Sequence, residues 1–129
     1  MTAYHLPAFS ARRPVIVFIN VKSNEYYVNK ILVDLKFVIG HTQGKTQQEI
    51  EADDLLVDSI MFRVIQVAES SMKLDEEFQK KNSHIPWRAI RGMRNMIVHN
   101  YGAVDLAVVY DTVTNSIPEL YKMLSTVKF

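Results

Sequence analysis

The fold is organised around Ile85-Pro86-Trp87-Arg88-Ala89-Ile90-Arg91-Gly92-Met93-Arg94-Asn95-Met96-Ile97-Val98-His99-Asn100-Tyr101, which carries two helical patterns at once. Apolar residues recur at the three- and four-residue spacing of one helix face, at Trp87, Ile90, Met93 and Ile97. Cations follow a different arc, at Arg88, Arg91 and Arg94. Pro86 suits the first helical position, because its missing N–H would have no intrahelical partner there. The stretch therefore predicts a helix with one packing face and one basic face.

Two long amphipathic helices are predicted before this stretch. The first follows a cap at Ser23 or Asn24 and ends at Gly40, because glycine suits the residue after a helix. The second begins at Asp53 and Asp54, whose carboxylates favour the positive end of the helix dipole. The buried faces comprise Val28, Ile31, Leu32, Leu35, Val38 and Ile39 in the first, and Val57, Ile60, Met61, Val64, Ile65, Val67 and Ala68 in the second.

Two short polar segments lie between the long helices. Residues 46–52 predict a short connecting helix, and residues 75–82 predict a frayed helical turn anchored by Phe78. Acidic residues cluster near the second long helix, at Glu49, Glu51, Asp53, Asp54 and Asp58. Their spacing matches no metal-ligand motif, and acids are common where helices begin. We therefore predict no metal site.

A last helix is predicted after a cap at Asp105. Its apolar residues recur about every 3.5 positions, at Leu106, Val109, Tyr110, Val113, Ile117, Leu120 and Leu124. Pro118 should kink this helix or restart it, because proline removes one backbone donor. Ser116 and Glu119 stand at capping-box spacing, which favours a restart.

These patterns predict an all-α fold, an up-and-down helical bundle of four principal helices plus a short connecting helix. The helical domain is expected to span residues 23–129. Residues 1–22 form an atypical N-terminal extension, in which Arg12 and Arg13 precede the apolar run at residues 14–19. That run is short for a signal peptide, and no small-residue cleavage site follows it.

Composition narrows the possible functions of the 129-residue chain. There is no cysteine, which excludes disulfides, zinc ribbons and thiol nucleophiles, and is consistent with the cytoplasm. No apolar run approaches the roughly 20 residues that cross a bilayer, so no membrane role is expected. The formal net charge is only +1, but five cations and no acids lie between Phe78 and Val104. A nucleic-acid partner is therefore suggested by the local charge distribution, although a solvated helix face has the same pattern.

Arg94 and His99 could cleave RNA without a metal ion. Such cleavage needs a base to deprotonate the 2′-hydroxyl, a cation to stabilise the phosphoryl oxygens, and an acid for the leaving oxygen. Histidine transfers protons near pH 7, and arginine presents a forked donor set that matches phosphate. Asn95 lies one turn before His99, where it could support the imidazole or a phosphate oxygen.

Helical geometry complicates this pairing. Five residues rotate by about 140° around a regular helix, so Arg94 and His99 would not share one face. Either the helix ends or unwinds before His99, or a second copy of the chain completes the site. The spacing alone also arises by chance, since single arginines and histidines in helices are usually structural.

The block from Ile85 to Gly102 resembles the signature of the HepT-like proteins, minimal members of the HEPN superfamily of helical ribonucleases. The resemblance continues through Val104-Asp105 and Ile117-Pro118-Glu119-Leu120, and it extends back through Ile65-Gln66-Val67-Ala68-Glu69 to the first helix. It covers about residues 23–126, so the N-terminal extension lies outside it.

This resemblance implies a homodimeric ribonuclease toxin of a prokaryotic type VII-like toxin–antitoxin pair. Arg94 and His99 match the two catalytic residues of the R-x4-H motif, and Asn95 matches the polar residue that follows the arginine. The implied partner is an MNT-type nucleotidyltransferase antitoxin. With ATP and Mg²⁺, it would silence the toxin by adding AMP to the residue matching Tyr101, whereas cleavage itself needs no cofactor. Arg88 and Arg91 are expected to bind the RNA backbone.

Two departures from the family pattern stand close to the site. Ala68 occupies a position that is often glycine, and Asn100 replaces a common aspartate between His99 and Tyr101. Two alternatives to a ribonuclease remain at this stage. One is a HEPN-like module that binds RNA or a nucleotide without cutting. The other is an interaction protein whose nucleotidyltransferase partner performs the catalysis.

Overall fold

The computed structural model describes residues 22–129, and this part of the chain is built from helices and short connections. Seven α-helices follow in order: α1 (Asn24–Thr42), α2 (Gln47–Glu51), α3 (Asp54–Met72), α4 (Glu76–Lys81), α5 (Trp87–His99), α6 (Leu106–Asp111) and α7 (Ile117–Ser125). A 3₁₀ turn at Tyr101–Ala103 follows α5, and a π-helical segment at Thr112–Ser116 joins α6 to α7. The predicted all-α class is confirmed. Residues 1–21 of the predicted extension lie outside the described residues.

The centre of the bundle is α3, which packs against α1 on one side and α5 on the other. The last helix lies on α1, through the π-helical segment and α7. The largest fully buried side chains are Ile31, Leu35, Ile50, Ile60, Ile85, Leu124, Val28 and Val38. A buried carboxylate also links the two long helices: Asp34 of α1 accepts from Arg63 of α3 at 2.7 Å and from Lys30 at 3.3 Å. The hydrophobic stripes and this ion pair together hold α3 in one orientation, which positions its neighbour α5.

The helices α1 and α6 begin after the predicted caps, Ser23 and Asp105, whereas α3 is capped by Asp53, which was expected to lie in its first turn. The Ser23 and Asp53 side chains accept the N–H groups of Tyr26 and Leu56, at 3.1 Å and 3.0 Å. Asp105 caps α6 in the same way. The connecting helix α2 begins with a capping box between Thr46 and Glu49. These bonds satisfy N–H groups that have no partner inside the helix.

Residues 75–82 are helical and anchored by buried Phe78 as predicted, but the expected fraying is wrong, because this segment contains the capped helix α4. Asp75 accepts the Phe78 N–H at 2.8 Å and the side-chain amide of Asn24 at 2.9 Å. The Phe78 N–H, followed by the Asn24 amide, lowers the pKa of Asp75 below its ordinary value of 3.8. The cap and the link to α1 give this short polar helix a stability that its few apolar residues did not indicate.

The predicted end of the first helix at Gly40 is also wrong. Helix α1 continues through Gly40 to Thr42, which is buried and donates its hydroxyl to the Val38 carbonyl at 2.7 Å. The left-handed turn falls at Gly44 instead, with φ of 79°. Pro86 was expected at the first helical position of α5, but its ψ of 69° is non-helical and the helix begins one residue later, at Trp87.

Pro118 does not restart the last helix. The chain from Leu106 to Ser125 stays helical, and the Ile117 N–H bonds back to Thr112 across the π-helical segment. A π turn just before proline gives the helix room for the proline ring, which clashes with the carbonyl four residues earlier in a regular α-helix. The expected capping box is absent, because Ser116 has helical backbone angles and makes no side-chain cap bond.

Within residues 22–129, no helix is long and apolar enough to span a bilayer. The same residues contain no grouping of three or more histidine, aspartate or glutamate side chains placed to hold a metal ion.

Candidate active site

Arg94 lies at the junction of α5 and α3, and two side chains hold its guanidinium. Its Nε donates to Oε1 of Glu69 at 3.0 Å, and its Nη1 donates to Oδ1 of Asn95 at 3.1 Å. The arginine and glutamate side chains are 32% and 40% exposed. Since a guanidinium has five N–H groups, these two bonds leave three for a ligand. The arginine is therefore oriented by its neighbours while part of its donor set stays free for an anion.

His99 is the last residue of α5, and it is exposed. Helix α5 is continuous from Arg94 to His99, so the helix does not end or unwind between them. The two side chains consequently leave the helix about 140° apart. Among the described residues, no hydrogen bond joins His99 to Arg94 or to Asn95. Of the two arrangements that the sequence left open, the helix that ends or unwinds before His99 is therefore wrong.

Asn95 lies beside Arg94 rather than beside the imidazole. Its side-chain oxygen accepts from the guanidinium, although Asn95 and His99 stand one turn apart on an exposed face. Asn100 caps the end of α5 by donating its amide to the Met96 carbonyl at 3.2 Å. An uncharged amide can donate this bond, whereas a carboxylate at the same position could not. The departure from the family pattern at position 100 thus has a local structural role.

Tyr101 begins the 3₁₀ turn after α5, and its side chain is 51% exposed. Its hydroxyl lies 3.4 Å from Oδ1 of Asp58 on α3, which is a long hydrogen bond. Partial desolvation first, and then the charge and hydrogen bond of Asp58, raise the pKa of Tyr101 above its ordinary value of 10.0.

Arg88 and Arg91 are exposed on α5, and within residues 22–129 no carboxylate lies within ion-pair distance of either. Of the other three cations between Phe78 and Val104, two are paired, and Lys81 of α4 is exposed with no ion pair among the described residues. Lys80 pairs with Glu76 at 3.1 Å, and Arg94 pairs with Glu69. The unpaired positive charge of this window therefore comes from Arg88, Arg91 and Lys81, of which only the two arginines lie on α5.

Glu69 and Asp58 are the two residues near the site whose contacts sequence reasoning missed. They lie eleven residues apart on α3, close to three full turns, so they point to the same side of that helix. Glu69 contacts Arg94 and Asp58 contacts Tyr101, which shows that α3 and α5 run antiparallel. In the sequence, Glu69 stood out only as the last residue of the Ile65–Glu69 resemblance to the family. Asp58 was only one of several acids near the start of a predicted helix.

Apolar side chains are exposed along the same helix pair. We call them the α3–α5 face: Leu55, Phe62 and Met72 on α3 and Val98 on α5, which are 78%, 56%, 39% and 46% exposed. On α3 these residues alternate with Asp58, Ile65 and Glu69 at three- and four-residue spacing, as in a helix that packs against another helix. A concentration of exposed apolar residues beside candidate site residues is typical of an interaction surface.

The family comparison fits this arrangement of helices. The family described as ribonuclease HepT-like matches residues 31–127, which include α3, α5, Arg94, His99 and Tyr101. The chain belongs to the HepT-like family. The resemblance expected from the motif block is thereby confirmed, and the match includes the last helix.

Three named relatives show how similar this HepT-like chain is to other proteins. A candidate RNase of Caldanaerobacter subterraneus is 28% identical over 83% of the chain and 96% of its own length. A Thermococcus cleftensis protein with the name "Probable ribonuclease HepT" is 30% identical over 77% of the chain and 90% of its own length. A Methanocaldococcus jannaschii protein, named as a gamma-glutamylcyclotransferase and candidate RNase, is 30% identical over 77% of the chain, but only 45% of that protein is covered. No solved structure matches the chain.

Proposed function

We propose that this HepT-like protein is a metal-independent endoribonuclease that acts as the toxin of a type VII-like toxin–antitoxin pair. The observation that supports the proposal is the arrangement of side chains around Arg94, in a chain that belongs to a ribonuclease family. Its guanidinium is oriented by Glu69 and Asn95 and keeps N–H groups free, and an exposed histidine lies five residues further along the same helix, on a different face.

In the proposed reaction, His99 takes the proton of the RNA 2′-hydroxyl, and the resulting oxygen attacks the adjacent phosphorus. The bond from phosphorus to the 5′-oxygen breaks, which leaves a 2′,3′-cyclic phosphate and a 5′-hydroxyl end after proton return. Arg94 stabilises the charge that develops on the phosphoryl oxygens, because a fixed cation near that charge lowers the barrier. Arg88 and Arg91 bind neighbouring phosphates, and Asn95 supports Arg94.

The proposed active unit is a homodimer in which Arg94 of one protomer acts with His99 of its partner. This arrangement is supported by the continuous helix between the two residues and by the exposed α3–α5 face. An interface of this kind would be isologous, with the same surface on both copies, and would generate two equivalent sites.

Mixing two inactive variants tests the shared site. Arg94→Ala and His99→Ala should each abolish cleavage, since general acid–base catalysis alone contributes about 10²–10⁴-fold. In a mixed dimer, one site combines the intact arginine with the intact histidine. After subunit exchange at equal concentrations, we expect about a quarter of the wild-type rate from random pairing. No recovery in verified mixed dimers would contradict the shared site.

A nuclease assay on the purified protein in excess EDTA tests the activity itself. Cleavage with cyclic phosphate ends, lost in the Arg94→Ala and His99→Ala variants, is the expected result. RNA binding without cleavage by the wild-type protein would instead favour the alternative, a non-catalytic HEPN-like module that binds RNA or a nucleotidyltransferase.

The proposed regulator is an MNT-type nucleotidyltransferase antitoxin that uses ATP and Mg²⁺ to attach AMP to Tyr101. The exposure of this phenol supports the assignment, because a modifying enzyme must reach its oxygen. The added phosphate would place a negative charge two residues beyond His99. It would repel RNA or occupy the phosphate position beside Arg94.

A further inference from the structure

We infer that Asp58 is the proton acceptor that makes Tyr101 a nucleophile for group transfer. The inference rests on the proposed modification of Tyr101 and assigns a second residue to it. Modification would then require a carboxylate supplied by the substrate protein itself, from a helix that the motif block does not include.

The geometry pairs the two groups across α3 and α5. The Tyr101 hydroxyl lies 3.4 Å from Oδ1 of Asp58, and this is its only hydrogen bond among the described residues. Asp58 has no ion-pair partner there, so its carboxylate is free to accept a proton. A nucleophile and base within hydrogen-bond reach, often somewhat long before substrate binds, are the usual signature of an activated hydroxyl.

The chemistry needs such a base. Partial desolvation and the Asp58 carboxylate raise the pKa of Tyr101, so very little phenolate exists near pH 7. The proton therefore has to leave as the oxygen attacks. In protein kinases an aspartate accepts the proton of the substrate hydroxyl in the same way, although there the enzyme supplies it.

The proposed step is balanced with ATP as the only co-substrate. The Tyr101 oxygen forms a bond to the α-phosphorus, the bond from that phosphorus to the β-bridging oxygen breaks, and pyrophosphate leaves with Mg²⁺. The phenolic proton moves to Asp58 and then to water. Nothing is oxidised or reduced, and the product is a tyrosine–AMP phosphodiester.

Substitution of Asp58 distinguishes a role as proton acceptor from a purely structural role. Asp58 does not cap α3, since the cap is Asp53, and both Asp58 and Tyr101 are exposed. Replacing Asp58 with asparagine keeps a side-chain oxygen that can accept from the phenol, but removes its basicity. Asp54, another exposed acid of the same helix, provides a matched control in Asp54→Asn.

The first arm of the test is independent of any partner enzyme. An aryl sulfonyl fluoride reacts with tyrosine oxygen, and mass spectrometry gives the labelling rates of Tyr101 and of Tyr26, which is similarly exposed at 45%. At pH 7, Asp58→Asn should slow Tyr101 labelling at least about tenfold, the lower range for loss of a general base. Tyr26 labelling and the Asp54→Asn control should not change.

The pH profile identifies the mechanism. In wild type, base assistance should keep Tyr101 labelling nearly constant around neutral pH. In Asp58→Asn, the rate should rise about tenfold per pH unit, because only free phenolate then reacts. Equal Tyr101 rates at pH 7 in wild type and Asp58→Asn would overturn the inference, as would parallel pH profiles.

The second arm measures AMP incorporation by an MNT-type nucleotidyltransferase with ATP and Mg²⁺. We expect the same loss in Asp58→Asn, mainly in kcat. If wild type accepts no AMP while the labelling arm behaves as expected, the proposed silencing fails and the assignment of Asp58 as a base stands. If wild type and Asp58→Asn accept AMP at equal rates, the inference fails and the proposed silencing stands.

Discussion

At Arg94, a cation suited to phosphate is held by a carboxylate on the neighbouring helix. The pair with Glu69 is partly exposed, and ion pairs of this kind contribute roughly 0–1 kcal/mol to stability. Its main consequence is orientation: bonds at Nε and Nη1 fix the plane of the guanidinium. An arginine oriented in advance loses less side-chain entropy when it meets the charged phosphate.

We predict that Glu69→Ala lowers kcat for RNA cleavage by roughly tenfold, because a mobile guanidinium stabilises the transition state less well. Glu69→Gln should retain more activity, since its amide oxygen can still accept from Nε. The free energy of unfolding should change by less than about 1 kcal/mol in both. Glu76→Ala removes the exposed pair with Lys80 and is the control. Equal kcat for wild type and Glu69→Ala would show that the pair does not position Arg94.

Tyr101→Phe should keep ribonuclease activity and escape silencing, because it removes only the oxygen that would accept AMP. Intact-mass measurement after incubation with the nucleotidyltransferase, ATP and Mg²⁺ checks this expectation. AMP on another residue, or full silencing of the phenylalanine variant, would refute the role of Tyr101.

On the scale of single elements, the three arginines of α5 lie in two different environments. Arg94 faces α3 and is paired, whereas Arg88 and Arg91 are exposed and have no carboxylate partner in residues 22–129. The helix therefore separates an oriented arginine from two arginines that can follow a polyanion by charge alone.

Neutralising the exposed cations should weaken RNA binding in a salt-dependent manner. For Arg88→Gln and Arg91→Gln, we expect the slope of log K against log salt to fall by about one each, since each lost phosphate contact releases one counterion fewer. The measurement is a binding titration across salt concentrations on His99→Ala, in which RNA stays intact. Lys122→Gln, an exposed cation on α7, should leave the slope unchanged. A slope unaffected by both arginine variants would indicate a role in the fold or dimer.

Two glycines of the α1 region should respond oppositely to alanine. Gly40 is helical, and a Cβ there meets nothing within 4 Å, so Gly40→Ala should stabilise the protein by up to about 1 kcal/mol. Gly44 has φ of 79°, so Gly44→Ala should destabilise it. Urea unfolding measures both. Destabilisation by Gly40→Ala would show that α1 ends before this residue.

For the whole molecule, the central question is what covers the α3–α5 face. Packing inside the described chain does not require the glycine at position 92, because a Cβ there would also meet nothing within 4 Å. A second copy of the chain that packs closely against α5 would explain why position 92 is glycine. A copy that covers the α3–α5 face would bury Phe62 and Leu55. An association experiment tests whether a second copy covers this face.

We predict that Phe62→Glu dissociates the dimer and abolishes cleavage, because it places a charge in an apolar interface. Val33→Glu on α1 is the matched control, with an equally apolar residue that is 62% exposed and lies outside the α3–α5 face. Sedimentation velocity at micromolar concentration reports the association state. A wild-type monomer that still cleaves RNA would rule out the shared site.

The sequence by itself determined the helices, their caps and the residues that carry the family motif. Ser23 and Asp105 cap helices as predicted, because capping depends on a few adjacent residues. The apolar stripes similarly indicated the buried faces, since helical periodicity is a local property. The boundaries at Gly40 and Pro118 could not be predicted in this way, because burial of Thr42 and a π turn outweighed the local preferences.

Only the tertiary structure decided what surrounds the candidate site. Glu69 reaches Arg94 across 25 positions in the chain, and Asp58 reaches Tyr101 across 43. Neither contact follows from spacing, because both depend on α3 packing antiparallel to α5. The separation of Arg94 from His99 likewise required knowing that α5 is unbroken. Local patterns specify which side chains a helix carries, whereas the packing of helices specifies which of them meet.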